Sequence, residues 1–286
     1  MAGYRDGLAR HGFDHCAIGG SGPNATKYLP LVWGSANNLD LSGQLYDSAN
    51  CIFSVLSNFG AGSLVIDVRE NGKSLRSGGW GATAANTTAG DQPDHVGYNP
   101  AISGLNLNYN RVHFEWKRAQ EGWGVAMDAR GSRFVPPVTM ARIEVVNREA
   151  PLFTYRARER TEDWTVASTA LGKEGSRWLP VRRPALYAGE VFQTLARAQG
   201  TDLPAPRLAR SAPQGQVVAR HASAPLPDIL RGMLRHSTNL TAEVMGLSAS
   251  GAGRLAASGS AMTEWAADRL GARGKFVDHS GLGAAS

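Results

Sequence analysis

Ser237 and Asn239 stand two residues apart in Arg235-His236-Ser237-Thr238-Asn239-Leu240-Thr241-Ala242-Glu243, which puts a hydroxyl and a carboxamide on one short turn. A hydroxyl beside a serine nucleophile can relay a proton to a leaving amine. A carboxamide, donor and acceptor at once, can hold a peptide-like substrate in place. Further on, Asp278-His279-Ser280-Gly281-Leu282-Gly283 offers a second hydroxyl, flanked by glycine. Ser and Asn also accept hydrogen bonds from the free N–H groups of a helix start, so capping is the competing reading of the turn. Glu243, four residues beyond Asn239, and the apolar segment from Leu226-Pro227 to Met233 make the layout fuller than a cap requires.

Other reactive residue types are less telling. His279 adjoins Ser280, but no acid beyond Asp278 is placed to orient it as a base, so it reads as a satisfied structural histidine. Gly19-Gly20-Ser21-Gly22-Pro23 has no Gly-Lys-Ser/Thr after it and reads as a loop, not a phosphate cradle. Cys16 and Cys51 lack CxxC spacing and a neighbouring histidine cluster; a metal site is not expected from them, and one disulfide stays open. No cofactor motif is present. Trp116, Trp123, Trp164, Trp178 and Trp265 read as packing residues.

The elements that must position the turn follow from periodicity. Leu226, Ile229, Leu230, Met233 and Leu234 recur at helical spacing, and further helices are predicted over about 239–248 and from Leu255 to Gly271. Pro184 opens another helix through Leu186, Tyr187, Val191 and Leu195, stopped by Gly200. Upstream the period is two. Alternation over Leu105–Tyr109 and Val112–Trp116, then Gly124–Met127, Ala141–Val146 and Asp163–Ser168, predicts an antiparallel sheet module over roughly 100–180. Val217–Ala219 is a short strand candidate. Residues 1–90 are rich in Gly, Ser and Asn, with Leu29–Trp33 and Ser63–Val68 their strand-like pieces.

These segments together resemble the class C, low-molecular-mass penicillin-binding proteins, the D-alanyl-D-alanine carboxypeptidase/endopeptidase family. Gly97-Tyr98-Asn99-Pro100-Ala101-Ile102-Ser103-Gly104-Leu105-Asn106-Leu107-Asn108-Tyr109-Asn110 resembles the family's approach to its inserted β domain. His221 through Glu243 resembles the helix pair bearing Ser-x-Asn, and Asp278–Leu282 its Asp-Gly-Ser-Gly-Leu element, with His279 in place of glycine. The resemblance implies an α+β fold: an inserted antiparallel β domain followed by the helical part of a transpeptidase-like domain. It divides the chain into an unrecognised 1–90, a β-rich 91–180 and a partial transpeptidase-like 181–286. It further implies a periplasmic serine-type peptidase acting on peptidoglycan peptides through an acyl-enzyme, with β-lactams as ligands. Ser237 would be the relay hydroxyl, Asn239 the substrate-positioning amide, and Asp278, Ser280 and Gly281 would flank the site.

The family's chemistry also needs Ser-x-x-Lys for the nucleophile and base, and Lys-Thr-Gly for the substrate carboxylate. Neither occurs here: Asn24, Glu70, Phe114, Ala170 and Ala272 stand three residues before the five lysines. The expectation is a truncated, inactive copy whose opening segment is unrelated to the family. A non-catalytic module binding cell-wall peptide or a partner protein is the alternative.

Bulk composition narrows the classes. With 42% hydrophobic and 19% charged residues over 286, the chain is globular. No apolar run reaches the roughly 20 residues of a membrane span, and Met1–Gly7 lacks the layout of a secretory signal. The net charge of +6 is not organised into basic runs interleaved with aromatics, so a nucleic-acid partner is not expected.

Overall fold

The computed structural model describes residues 85–283, except 86, 132–133, 209–215 and 223–224, together with short strands before residue 85. Those early strands are β1 (Ala17–Ile18), β2 (Leu29–Pro30), β3 (Cys51–Asn58), β4 (Ser63–Glu70) and β5 (Lys73–Ser74). Cys16, the side chain of Cys51 and the Gly19–Pro23 loop lie outside the described residues.

The β-rich block folds into two three-stranded sheets. One is formed by β6 (Arg111–Arg118), β7 (Trp123–Asp128) and β11 (Glu174–Pro180), with β6 central and both neighbours antiparallel. The other holds β8 (Ala141–Val146), β9 (Phe153–Ala157) and β10 (Glu162–Ala167). In it β10 is central, antiparallel to β9 and parallel to β8. Alternation on β6 explains the burial: Val112 and Phe114 are fully buried, whereas Glu115 and Lys117 are exposed. Alternation predicts β6, β7, β8 and β10; β9, only five residues long, alternates as well (Phe153, Tyr155, Ala157) but is not among the predicted strands, and most of β11 is polar or glycine.

Helix α1 (Pro184–Ala198) starts on a proline, whose missing N–H costs nothing at that position. Leu186, Tyr187, Val191 and Phe192 form its buried stripe and join one core with Val112, Phe114, Trp164, Val166 and Leu179. Burying each large side chain of that core contributes about 1.5–3 kcal/mol. Glu190 fastens the helix to the start of β8, accepting the Thr139 N–H at 2.7 Å and the Met140 N–H at 2.8 Å.

Strand β12 (Gln216–Ala222) pairs antiparallel with β3, in a sheet ordered β12-β3-β4-β5. Three helices close the described chain: α2 (Leu226–His236), α3 (Asn239–Ser250) and α4 (Leu255–Leu270). Leu240, Val244 and Leu247 of α3 pack on Ile102 in a second, smaller core.

Residues 99–110 connect the two cores, and here the sequence pattern misleads. Alternation over Leu105–Tyr109 predicts a strand; the backbone instead makes a short 3-10 turn over Asn108–Asn110 with φ of 51°, 56° and 51°. Asparagine tolerates this left-handed region better than most residues. Buried amides hold the turn: Asn110 Nδ2 donates to the Ala101 carbonyl at 2.8 Å, and Asn106 Nδ2 to the Ser103 carbonyl at 2.7 Å. Asn106 and Asn108, which alternation assigns to solvent, are therefore inside: Asn106 Nδ2 is met by backbone, and Asn108 Nδ2 donates to the Tyr187 hydroxyl at 3.3 Å.

Candidate functional site

Helix α2 ends at Ser237, whose φ of 49° and ψ of 55° place it in the left-handed region, and α3 begins two residues later at Asn239. The helix junction is thus a single tight corner. Neither side chain is spent on capping: the N-cap of α3 is Thr238, and it makes no side-chain cap hydrogen bond. Ser237 is exposed, and Asn239 is half-buried with Nδ2 3.5 Å from the Tyr98 carbonyl. Of the two, the Ser237 hydroxyl is the more exposed, while the Asn239 amide is turned toward the Tyr98 main chain.

One turn along α3, Glu243 lies on the same helix face as Asn239 and is fully buried. Its carboxylate receives the main chain of the second motif. Oε1 accepts the Ser280 N–H at 2.9 Å, and both oxygens lie 3.2 Å from the His279 nitrogen. Burial pushes this carboxyl above the ordinary carboxylate range, opposed by the hydrogen bonds from the Ser280 side chain and from both amides.

The 278–283 segment is itself a closed loop. Asp278 Oδ1 accepts the Gly281 N–H and Oδ2 the Gly283 N–H, both at 2.7 Å. Gly281 has φ of 69°, which a side chain would strain. A Cβ on Gly283 would sit 2.7 Å from Asp278 Oδ2, so that glycine is needed for the close approach. Asp278, Ser280 and Gly281 therefore form one rigid corner held against α3.

His279 points elsewhere. Its Nε2 lies 2.6 Å from Ser258 Oγ on α4, and Ser258 Oγ in turn lies 2.8 Å from Ser250 Oγ. The ring rests on Gly246, where a Cβ would come within 2.1 Å of it. Burial lowers its pKa, partly offset by Asp278. A ring so engaged is a packing group between α3 and α4.

Sequence reasoning missed Tyr98 and Gln92. Tyr98 is exposed beside Asn239, its hydroxyl 3.3 Å from Gln92 Oε1. Gln92 Nε2 reaches the Leu282 carbonyl at 3.4 Å. Residues 92–98 thus run from the Ser237–Asn239 corner to the 278–283 loop, a link that no local pattern announces. A cleft of about 530 Å³ opens beside that loop, lined by Thr88, Asp91, Leu255, Val277, Asp278 and Gly283; Ser237, Asn239 and Ser280 do not line it. No helix among the described residues is long and apolar enough to cross a membrane.

Residues 84–283 match the sequence model of the D-Ala-D-Ala carboxypeptidase 3 (S13) family. Among solved structures the chain is similar to penicillin binding protein 4 from Haemophilus influenzae, with TM-score 0.54 at 16% identity, covering 84% of this chain and 62% of that one. The same protein complexed with a novel beta-lactam superposes with TM-score 0.51 at 17% identity, covering 94% and 65%. At this identity the likeness is one of fold, and the chain spans less than two thirds of that protein's length. No curated protein matches it.

Proposed function

Because the chain belongs to the D-Ala-D-Ala carboxypeptidase 3 (S13) family, we infer that it carries the peptide-holding half of a serine acyl-transfer site. The inferred reaction of the lineage is cleavage of D-Ala-D-Ala peptides of peptidoglycan, in the periplasm, through an acyl-enzyme that β-lactams mimic. The observation that carries this reading is the pairing of a Ser237–Asn239 corner whose two side chains make no cap hydrogen bond with a Ser280 loop anchored on the same helix through Glu243.

Each part has a role in that chemistry. Asn239 offers a donor and an acceptor from the first turn of α3, suited to an amide backbone lying along the corner. In the lineage's reaction a hydroxyl at the Ser237 position would pass a proton toward the leaving amine; here it is left as a polar contact for the peptide. In this reading Asp278, Ser280 and Gly281 form the other wall, held by part-buried hydrogen bonds to Glu243 and within the loop. The α2–α3 corner and that wall are fixed to one another before any peptide arrives, which lowers the ordering cost of binding.

The 286 residues contain neither Ser-x-x-Lys nor Lys-Thr-Gly. A hydroxyl such as Ser237 with no adjacent base is a weak nucleophile. In this reading the chain holds a D-Ala-D-Ala peptide without being acylated, and so acts as a non-catalytic cell-wall peptide module. The test pairs two measurements on the purified chain: calorimetric titration with a D-Ala-D-Ala pentapeptide, and labelling by fluorescent penicillin. Saturable binding weakened by Asn239→Ala, with no covalent label, is the expected result. Stable labelling at any serine would overturn the claim that the nucleophile is missing, and absence of peptide binding would remove the peptide-holding role.

A further inference from the structure

The β6/β7/β11 sheet carries a second cluster of reactive groups, far in sequence from the Ser-x-Asn corner and unused by it. His113 on β6 is the register partner of Asp128 on β7 and of Trp178 on β11, and Glu115 lies two residues further along the same face as His113. The opposite face of β6 carries Val112 and Phe114 into the core. The polar face is nonetheless closed: the side chains of His113 and Asp128 are 7% and 6% exposed.

His113 Nδ1 is the anomaly. It is buried and has no hydrogen-bond partner, yet it faces Asp128 Oδ2 at 3.7 Å. A buried ring nitrogen left unpaired costs about 1–3 kcal/mol unless something occupies the space before it. Trp178 packs edge-on to the ring, centroids 5.1 Å apart at 71°, and so sets the direction in which the nitrogen points. One ligand atom each from His113, Glu115 and Asp128 falls within 4.8 Å of the other two.

We propose that His113, Glu115 and Asp128 form a binding site for a divalent transition-metal ion of the zinc type, with Arg130 as its built-in competitor. One imidazole nitrogen and two carboxylates form a ligand set that suits zinc better than magnesium or calcium, which take oxygen ligands. Zinc–ligand bonds of about 2.0–2.1 Å in a tetrahedron place ligand atoms about 3.3 Å apart. The His113–Asp128 separation is already close to that, and Glu115, exposed at the mouth, needs only a rotamer change to complete the triad. Water fills the fourth position.

Arg130 holds the same two carboxylates when no metal is bound. Its Nη2 lies 2.8 Å from Glu115 Oε2 and 3.0 Å from Asp128 Oδ2, and its Nε 3.2 Å from Asp128 Oδ1. The guanidinium satisfies the acids and does nothing for His113 Nδ1. Its side chain is 39% exposed, so it can swing into water when a dication takes its place. Metal and arginine are alternatives for one pair of negative charges.

The experiment is calorimetric titration of the full 286-residue chain with zinc chloride in buffer free of chelators. The expected result is one equivalent bound, weakened at least about tenfold by Glu115→Gln or Asp128→Asn. Arg130→Met, which keeps the aliphatic stem and deletes the competing charge, tightens binding at least about tenfold, because the ion no longer displaces a cation. Glu115 is at the surface, so its substitution separates lost ligation from lost folding. No zinc uptake by either the natural chain or Arg130→Met would overturn the proposal. So would uptake that Glu115→Gln and Asp128→Asn leave unchanged, since the ion would then sit elsewhere in the chain.

Discussion

Glu243 and Ser280 are joined by a hydrogen bond from the Ser280 amide to Glu243 Oε1 at 2.9 Å, the contact that holds the 278–283 loop on α3. The two residues lie on different elements, and the acceptor is fully buried. The Glu243 carboxylate thus anchors the loop's main chain, alongside the packing of the His279 ring on Gly246.

Removing that acceptor strands two amides. Glu243→Ala leaves the His279 and Ser280 N–H groups without their partner and opens a cavity, so a loss of about 2–4 kcal/mol is expected by urea denaturation. Glu243→Gln keeps Oε1 as an acceptor and costs about 1 kcal/mol. A loss below about 0.5 kcal/mol for the alanine variant would show that the loop is held by other contacts.

Gly246 and His279 are in van der Waals contact, so a methyl group at 246 has nowhere to go. Gly246→Ala should destabilise by about 1–3 kcal/mol, although alanine is the better helix former by about 1 kcal/mol. Trimming the ring restores the space. In a double-mutant cycle with His279→Ala the two substitutions should couple by at least about 1 kcal/mol, and additive effects would contradict the close packing.

Stability should fall between acidic and neutral pH because of Glu162. This carboxyl is fully buried at the start of β10, and Oε1 accepts the Arg182 N–H at 2.8 Å, while Oε2 has no hydrogen-bond partner. Burial pushes its pKa up from 4.5 to about 7. Between those values the folded chain holds this proton more tightly than the unfolded chain does. The contribution is complete below about 4.5 and is lost as pH rises through 7, a change on the order of 3 kcal/mol. Glu243 acts in the same direction, while His95, His113 and His279, all with lowered pKa values, act in the opposite one. Glu162→Gln isolates the term: urea denaturation at pH 5 and pH 8 should show the natural chain losing stability relative to this variant. Equal losses in the two proteins would contradict the assignment.

The left-handed backbone of Ser237 gives a test in which stability and binding part company. Ser237→Gly relieves about 1–2 kcal/mol of conformational strain and loses about 0.5–1 kcal/mol to unfolded-chain entropy, so stability should stay level or rise slightly. Ser237→Val should cost at least about 1 kcal/mol, because a β-branched residue is poorly accommodated there. If the hydroxyl serves a peptide, the glycine variant binds pentapeptide more weakly while melting no earlier. A glycine variant that melts several degrees lower would mean the hydroxyl is structural.

The helices were legible in the residue string because their determinants are local. Spacing of Leu226, Ile229, Leu230 and Met233 marks α2, Pro184 opens α1, and Gly271 in the left-handed region closes α4 where the pattern stops. Strand β6 was equally plain, since each buried Val112 or Phe114 neighbours a polar residue. The Ser237–Asn239 turn could be placed between two helices for the same reason. Tertiary structure alone decided the rest. The Asn108–Asn110 turn overrides an alternating pattern because buried amides outweigh a local preference worth tenths of a kcal/mol per residue. Glu243 meets Ser280, Tyr98 meets Asn239, and His113 meets Asp128 only once distant segments pack. Periodicity records which side of an element is buried; which polar group faces which is set by long-range contacts that no short window of sequence contains.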